Sequence, residues 1–290
     1  MDKMYDVIII GAGPAGVSAA LYAKRANKSV LVLYYGESQL EKAHKIDNYY
    51  GFEGGIGGKE LYQNGINQAK AIGCEVINAE VLHIAMTATL SYEVKTADAV
   101  FEGKTLILAT GNKKIRPNIE GVAEFEGKGV SYCAICDGFF YRKKTVAVLG
   151  NGDYALSEAG DLVNIVNKVY ILTDSLPAPE TDSYEVITKK IAAIRGEAKV
   201  NRVAFDDGSE LEIDGLFVAL GTAGGADFAK KLGVALDGDS IKTDEDMKTN
   251  IPSVFACGDV NGGLLQVSKA VCDGAKAGLS AVKYLKSLEN

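Results

Sequence analysis

The sequence is poor in the residues that build metal sites and disulfide scaffolds. Its 290 residues include two histidines and five cysteines, an odd and sparse number that does not indicate a disulfide-stapled fold. No apolar run approaches the roughly 20 residues that span a membrane, and no secretory signal opens the chain. Acidic residues (38) outnumber basic ones (31), and the net charge of −7 argues against nucleic-acid binding. We therefore expect a cytoplasmic protein without membrane or nucleic-acid partners.

A glycine-rich turn lies near the start of the chain. The apolar run Tyr5-Asp-Val-Ile-Ile-Ile10 predicts a buried parallel strand, and Gly11-Ala-Gly-Pro14-Ala15-Gly16 follows it directly, ahead of a helix-favouring stretch at 17–26. With a further strand at 29–33, this is a dinucleotide-binding βαβ unit. Gly11 is predicted to make the turn, Gly13 to let a pyrophosphate approach the backbone, and Gly16 to allow close helix–strand packing. The helix that begins around Pro14 and Ala15 points its N-terminus at the phosphate.

The acidic residue that usually contacts the ribose is not at its ordinary place. The second strand ends Leu33-Tyr34-Tyr35 instead of ending in a carboxylate. Glu37 lies shortly after the strand, and it is the candidate for the ribose contact.

The same strand–turn–helix–strand order returns in the middle of the chain. Thr145-Val-Ala-Val-Leu149 predicts a strand, Gly150-Asn-Gly-Asp-Tyr-Ala155 a turn, residues 156–165 a helix, and Lys168-Val-Tyr-Ile-Leu172 the next strand. Two such openings in one chain predict a duplicated nucleotide-binding architecture.

A pair of cysteines spaced two residues apart is the most informative stretch, Cys133-Ala-Ile-Cys136-Asp137-Gly-Phe-Phe-Tyr141. A zinc site would need two more ligands at suitable spacing, which His44 and His83 do not supply, so we predict no metal. Two buried cysteines placed together by chance remain an alternative. A redox role is favoured because such a pair can close a disulfide within one turn and can lower the pKa of one thiol.

Four blocks of the sequence together resemble the bacterial low-molecular-weight thioredoxin reductases. They lie at residues 11–16, 129–141, 215–221 and 251–260, and the resemblance covers nearly the whole chain. It implies an α/β fold of two Rossmann-like, three-layer domains that binds FAD and reduces thioredoxin as a homodimer. We expect a split FAD domain, residues 1–114 and 242–290, and a smaller domain, residues 115–241, that carries the cysteines.

The resemblance also implies roles for individual residues. Cys136 would face the flavin, Cys133 would attack the disulfide of thioredoxin, and Asp137 would be the nearby acid or base. The residues implied to complete the FAD site are Asn48, Thr110, Gly111, Gly258, Asp259 and Gln266, with Asp259 at the ribitol or the adjoining phosphate. Cys257, Cys74 and Cys272 are expected to be packed, structural side chains.

The sequence departs from the family where NADPH would bind. NADPH-dependent members carry a basic run after the second strand of the smaller domain, but residues 171–181 contain no Arg or Lys, and Asp174 and Glu180 are acidic. The stretch from Asp174 to Gly215 also looks shortened. These features resemble the ferredoxin-dependent flavin thioredoxin reductases, which implies reduced ferredoxin as the electron donor. The alternative is NADH, with Asp174 accepting the ribose 2′-OH.

Two other classes and two basic clusters complete the predictions. A non-enzymatic flavin redox sensor would not turn over thioredoxin, and a ferredoxin–NADP reductase of this fold would lack the cysteine pair. A first basic cluster (Lys113, Lys114 and Arg116) and a second basic cluster (Arg142, Lys143 and Lys144) are either solvated loops or docking surfaces for an acidic partner.

Overall fold

The computed structural model describes residues 3–111, 117–221, 224–238 and 240–289, and of Cys136 the backbone alone. The first basic cluster lies outside these ranges. In chain order the strands are β1 (Met4–Ile10), β2 (Val30–Tyr34), β3 (Glu75–Asn78), β4 (His83–Met86), β5 (Tyr92–Lys95), β6 (Val100–Leu108), β7 (Val130–Ser131), β8 (Thr145–Leu149), β9 (Lys168–Leu172), β10 (Glu185–Ile187), β11 (Ile191–Gly196), β12 (Val200–Phe205), β13 (Glu210–Glu212), β14 (Gly215–Val218), β15 (Leu236–Asp237), β16 (Ser240–Ile241) and β17 (Val254–Ala256). The α-helices are α1 (Pro14–Arg25), α2 (Gly58–Ala71), α3 (Ala134–Asp137), α4 (Asp153–Leu162), α5 (Gly225–Leu232) and α6 (Val267–Leu288).

The chain forms two compact units. The first unit comprises Met1–Lys113 and Gly224–Asn290, and the second unit comprises Lys114–Ala223. The second crossing between the two compact units lies at 223–224, whereas the domain boundary predicted from the sequence at 241–242 stays a prediction. The reason is tertiary packing: α5 contacts β4 and the β15–β16 hairpin, so residues 224–241 belong to the first unit.

The first unit is built on one mixed sheet with strand order β3-β2-β1-β6-β5-β4, and β17 pairs with β6. β1, β6 and β17 run parallel, with Ile10 opposite Leu108 and Leu108 opposite Ala256. The turns that follow these three strands therefore meet at one edge of the sheet. That is the carboxyl edge, where open α/β sheets bind their ligands.

Helices α1 and α6 pack closely against each other on this sheet. A Cβ added at Gly274 would collide with the carbonyl oxygen of Ala15, and a Cβ added at Gly278 would lie 2.5 Å from the carbonyl oxygen of Ala19. Both pairs are spaced by four residues, so two rows of small side chains face each other. This packing brings the last helix of the chain onto the first and fixes the start of α6 beside the glycine turn.

The second unit contains a parallel sheet of order β10-β9-β8-β14-β7 and a separate antiparallel sheet, β11-β12-β13. The β8–α4–β9 segment has the predicted order of a βαβ unit, and β8 and β9 pair in parallel. Asp207 and Gly208 lie in the turn of the β12–β13 hairpin, where Gly208 has φ +81°.

The connection from β9 to β10 is unusual. These strands are parallel, and residues 173–184 between them contain no helix. Crossovers between parallel strands ordinarily carry a helix. This helix-free connection overlaps the stretch from Asp174 to Gly215 that is predicted to be shortened. In both units, no described helix combines the length and apolar character needed to cross a membrane.

Candidate functional site

The turn after β1 is built from three glycines under different constraints. Gly11 has φ +112°, and a side chain there would collide with the carbonyl oxygen of Ala109. A side chain at Gly16 would collide with the carbonyl oxygen of Gly11. Gly13 instead faces open space, because an added Cβ would meet no atom within 4 Å. Protein packing therefore requires glycine at positions 11 and 16 but not at position 13, and Gly13 is the one predicted to face the pyrophosphate.

The N-terminus of α1 adds to this cradle. Gly13 is its N-cap, Pro14 and Ala15 form its first turn, and no side chain caps it. Free backbone N–H groups and the positive end of the helix dipole suit a phosphate. The open space at Gly13 and this uncapped helix end fit a dinucleotide such as FAD.

The turn after β6 packs against the chain as it returns to the first unit. Gly111 has φ +70°, as a tight turn after the strand requires. At Gly225, the first residue of α5, an added Cβ would lie 2.5 Å from Oγ1 of Thr110 and would collide with Val260. The start of α5 therefore holds together the segments that follow β6 and β17.

The turn after β17 carries Gly258 and Asp259 and packs on the start of α1. Gly258 has φ +84°, and an added Cβ would lie 2.8 Å from Cβ of Ala15. Asp259 is half-buried, and burial raises the pKa of its carboxyl group. Lys269 opposes that rise in the pKa, whereas Asp273 adds to it. The predicted phosphate-side residues of the two strand ends are thus in contact at one edge.

Lys269 and Asp273, both on α6, organise this turn and were missed by sequence reasoning. The ammonium of Lys269 donates to the carbonyl oxygens of Gly258 (2.8 Å) and Gly262 (2.6 Å) and to Oδ1 of Asn261 (2.6 Å). It also pairs with Asp273 at 2.8 Å, and Asp273 accepts a hydrogen bond from the N–H of Gly258. The only signal in the sequence is the i,i+4 spacing of the two charges, which many exposed helix pairs share.

Asn48 and Gln266 are hydrogen-bonded to each other. Both are predicted to contact the flavin, although they lie near opposite ends of the sequence. Nδ2 of Asn48 donates to Oε1 of Gln266 at 2.9 Å, across 218 positions of sequence. Both side chains are exposed, and Gln266 is the N-cap of α6. They form a polar pair beside the helix end that follows the Gly258–Asp259 turn.

Two acidic residues, Glu37 and Glu41, follow β2 and have different structural settings. Glu41 closes a capping box, because its carboxylate accepts the N–H of Ser38 at 2.7 Å. Glu37 is exposed just after Gly36, whose φ of +67° turns the chain. Glu37 stays our prediction for the ribose contact.

The cysteine segment is held by a network in the second unit. Cys133 is buried and disulfide-bonded, and it directly precedes α3. The hydroxyl of Ser131 donates to Oδ2 of Asp137 at 2.6 Å and accepts the N–H of Cys133 at 3.1 Å. The N–H of Ala134 donates to Oε2 of the buried Glu158 at 2.8 Å. The side chain of Cys136 lies outside the described structure.

An apolar surface surrounds this segment. Ile135, Phe139 and Phe140 are 44%, 68% and 72% exposed, which is unusual for large apolar side chains so close in sequence. The second basic cluster, Arg142 to Lys144, is exposed directly after them. Lys144 lies over the ring of Tyr141, 5.8 Å from its centroid.

The second glycine turn is intact, but its acidic partner is occupied. Gly152 faces open space as Gly13 does, with no atom within 4 Å of an added Cβ. The carboxylate of Asp174, however, accepts the N–H of Ile191 (2.8 Å) and the ammonium of Lys190 (2.9 Å). Asp174 therefore anchors the chain after β9, and its contact with the ribose of NADH stays an alternative prediction.

The three other cysteines are free. Cys74 and Cys257 are buried as expected; burial raises the pKa of Cys74 to about 11 and also raises that of Cys257. Cys272 was expected to be buried and is exposed, because α6 turns Gly274 and Gly278 toward α1 and this residue away. No cluster of three potential metal-ligating side chains occurs among the described residues.

Comparison with known proteins agrees with this geometry. The profile of the pyridine nucleotide-disulphide oxidoreductase family matches residues 5–183 and 184–274. A thioredoxin reductase of Aquifex aeolicus is 36% identical, covering 98% of this chain and 94% of its own. Among solved structures, the atypical thioredoxin reductase TRi of Desulfovibrio vulgaris Hildenborough has a TM-score of 0.92 at 39% identity, covering 98% of each chain. A ferredoxin-flavin thioredoxin reductase of Clostridium acetobutylicum has a TM-score of 0.74 at 33% identity, covering 99% of this chain and 100% of its own.

Proposed function

Because the chain belongs to the pyridine nucleotide-disulphide oxidoreductase family and, within it, to the thioredoxin reductases, we propose that this FAD enzyme takes its electrons from reduced ferredoxin and not from NADPH. The observation that carries the proposal is the β9–β10 connection. It has no helix, and residues 171–181 hold no Arg or Lys that could pair with a 2′-phosphate.

Two further observations support this choice of donor. Asp174 is bonded to Ile191 and Lys190, which favours a structural role for this strand-end carboxylate over a ribose contact with NADH. The similar chain of Clostridium acetobutylicum is named a ferredoxin-flavin thioredoxin reductase. A one-electron donor is chemically compatible with FAD, since a flavin accepts electrons one or two at a time.

The cysteines then transfer the electrons to the protein substrate. Reduction of the disulfide that includes Cys133 takes up two electrons and two protons, and bound FAD supplies the electrons. The Cys133 thiolate attacks one sulfur of the thioredoxin disulfide, and the other sulfur leaves as a thiolate that takes up a proton. Attack by the Cys136 thiolate on Cys133 releases reduced thioredoxin and closes the Cys133–Cys136 disulfide again. Asp137, oriented by Ser131, is placed to hold or deliver a proton beside this pair.

The apolar surface of Ile135, Phe139 and Phe140 supports thioredoxin as the substrate. Exposed apolar patches next to a reactive group mark protein contact sites. Ferredoxin, a small iron–sulfur protein, would instead use the second basic cluster, because attraction between unlike charges speeds the encounter of two proteins. We propose a homodimer in the cytoplasm as the working form.

The decisive experiment is anaerobic reduction of the purified holoprotein. Equal amounts of NADPH, NADH and chemically reduced ferredoxin are mixed with it, and loss of the flavin absorbance is followed by stopped flow. We expect fast bleaching by ferredoxin alone. Fast stoichiometric bleaching by NADPH would refute the proposal, and fast bleaching by NADH would restore the alternative.

A separate arm tests whether the protein is an enzyme. Thioredoxin disulfide is added to the ferredoxin-reduced protein, and its reduction is followed by thiol titration. Multiple turnovers support a reductase. Bleaching of the flavin without any turnover would favour the non-enzymatic redox sensor.

A further inference from the structure

Lys269 is a lysine in a setting where lysines seldom lie. Its side chain is 19% exposed, and that of its partner Asp273 is 9% exposed. Lysine side chains usually keep the ammonium in water and bury only the stem. Here the ammonium itself lies 2.6–2.8 Å from four oxygen atoms, in the manner of a bound cation.

Three of the four oxygens belong to the segment that leads from β17 into α6, and the fourth belongs to Asp273 on α6 itself. Two are backbone carbonyls, at Gly258 and Gly262, so the ammonium fixes the main chain on both sides of Asp259. A third belongs to Asn261, whose amide also donates to Oγ1 of Thr243 at 3.2 Å. The side chain of Lys269 thus closes the 258–262 turn onto the first turn of α6.

This turn stands between two parts of the predicted FAD site. Gly258 packs on Ala15 at the phosphate end, and Gln266, the N-cap of α6, bonds to Asn48 at the flavin end. A shift of the turn would therefore move Asp259 relative to both ends.

The positive charge of Lys269 also acts on the neighbouring carboxylates. Asp259 and Asp273 place two carboxylates beside the site of a pyrophosphate, which is itself anionic, and like charges repel in a partly buried setting. Lys269 lowers the pKa of Asp259, against the effect of burial, and so favours the ionised carboxylate.

We propose that Lys269 is a positioning residue of the FAD site: its ammonium holds the 258–262 turn so that Asp259 and the start of α6 meet the cofactor together. The proposal concerns FAD binding, and it is independent of the electron donor.

The test compares Lys269→Met with Lys276→Met. Methionine keeps the apolar length and removes the ammonium. Lys276, also on α6, donates to the carbonyl oxygen of Glu245 at 3.1 Å and serves as the matched control. Apoprotein of each variant is titrated with FAD by fluorescence quenching, its unfolding by urea is measured without FAD, and the visible spectrum of the bound flavin is recorded.

We expect Lys269→Met to weaken FAD binding at least tenfold and to shift the flavin spectrum, while Lys276→Met leaves both at wild-type values. Wild-type FAD affinity and spectrum in Lys269→Met would overturn the proposal. The proposal would also be overturned if the flavin spectrum stayed unchanged and the loss of FAD affinity were no larger than the loss of apoprotein stability. Lys269 would then only stabilise the fold.

A second variant covers the case in which Lys269→Met does not fold. Lys269→Arg keeps the charge, but its forked guanidinium cannot present one nitrogen to four converging oxygens. We expect it to fold and to bind FAD more weakly than wild type. Unchanged FAD binding in Lys269→Arg, when the Met variant is unfolded, would refute the positioning role.

Discussion

Replacing Gly13 by alanine should stabilise the apoprotein and weaken the cofactor complex. The backbone at Gly13 has φ −69° and ψ −179°, which alanine adopts without strain, and the added Cβ meets no protein atom within 4 Å. Such a Gly-to-Ala change stabilises a fold by about 0.4–1 kcal/mol, mainly by restricting the unfolded chain. The same methyl group occupies the space that we assign to the pyrophosphate.

The size of the loss follows from the cost of overpacking. Forcing one extra carbon into a fitted contact costs about 1–3 kcal/mol, which corresponds to between about fivefold and about 140-fold in the FAD dissociation constant. Urea unfolding of the apoprotein and FAD titration of the same sample measure the two effects separately. Opposite signs for stability and affinity are the expected result.

Gly65→Ala is the matched control. Gly65 lies within α2, and an added Cβ would make ordinary contact with Val17 at 3.6 Å. This change should also stabilise the apoprotein, by about 0.5–1 kcal/mol, but should leave FAD affinity unchanged. If Gly13→Ala binds FAD as tightly as wild type, the open space at Gly13 is not the phosphate site and the reasoning fails.

Four further predictions follow, three at single residues and one at a pair of basic residues. Cys133→Ser should abolish thioredoxin reduction and leave flavin reduction by the donor intact, as stopped-flow bleaching and thiol titration would show; normal turnover would exclude Cys133. Ser131→Ala should slow thioredoxin reduction while FAD binding stays at wild-type values, because Asp137 loses its 2.6 Å hydrogen bond; unchanged turnover would remove Ser131 from the network. Arg142→Gln combined with Lys143→Gln should slow flavin reduction by ferredoxin and flatten its dependence on salt, with Lys168→Gln as control; equal rates at all salt concentrations would exclude the second basic cluster. Since burial raises the pKa of Asp259, its ionised form destabilises the apoprotein at neutral pH, and apoprotein stability should rise as the pH falls through that pKa; Asp259→Asn should remove this pH dependence in urea unfolding, and a wild-type pH profile would contradict the assignment.

The first glycine turn could be predicted from the sequence because its requirements are local. Backbone atoms close in sequence or just after the neighbouring strand leave no room for a side chain at Gly11 or Gly16. The strand and the helix around these glycines follow from apolar periodicity. The Asn48–Gln266 pair could be placed only through resemblance to a family. Nothing in the residues between them indicates that these two side chains meet.

The rest depended on tertiary packing that the sequence does not display. The sequence predicts the second domain boundary at 241–242, whereas the compact units divide at 223–224, because the contact of α5 with β4 joins segments far apart in sequence. The sequence offers Asp174 as a ribose acceptor only under the NADH alternative, because a carboxylate after a strand looks the same whether it faces a ligand or a backbone N–H. The structure shows the second case.

The glycine motif of the second unit has a packing role of its own. At Gly150 an added Cβ would collide with the carbonyl oxygen of Ala219 and lie 2.8 Å from Cβ of Ala155, so packing alone requires glycine there. Helix α4 must stay in place because its Glu158 accepts the N–H of Ala134 at the start of the cysteine helix. Gly152 alone keeps an open space that a phosphate could use. The glycine motif of the second unit therefore has a structural reason that does not depend on the electron donor: it positions the helix that supports the cysteine segment.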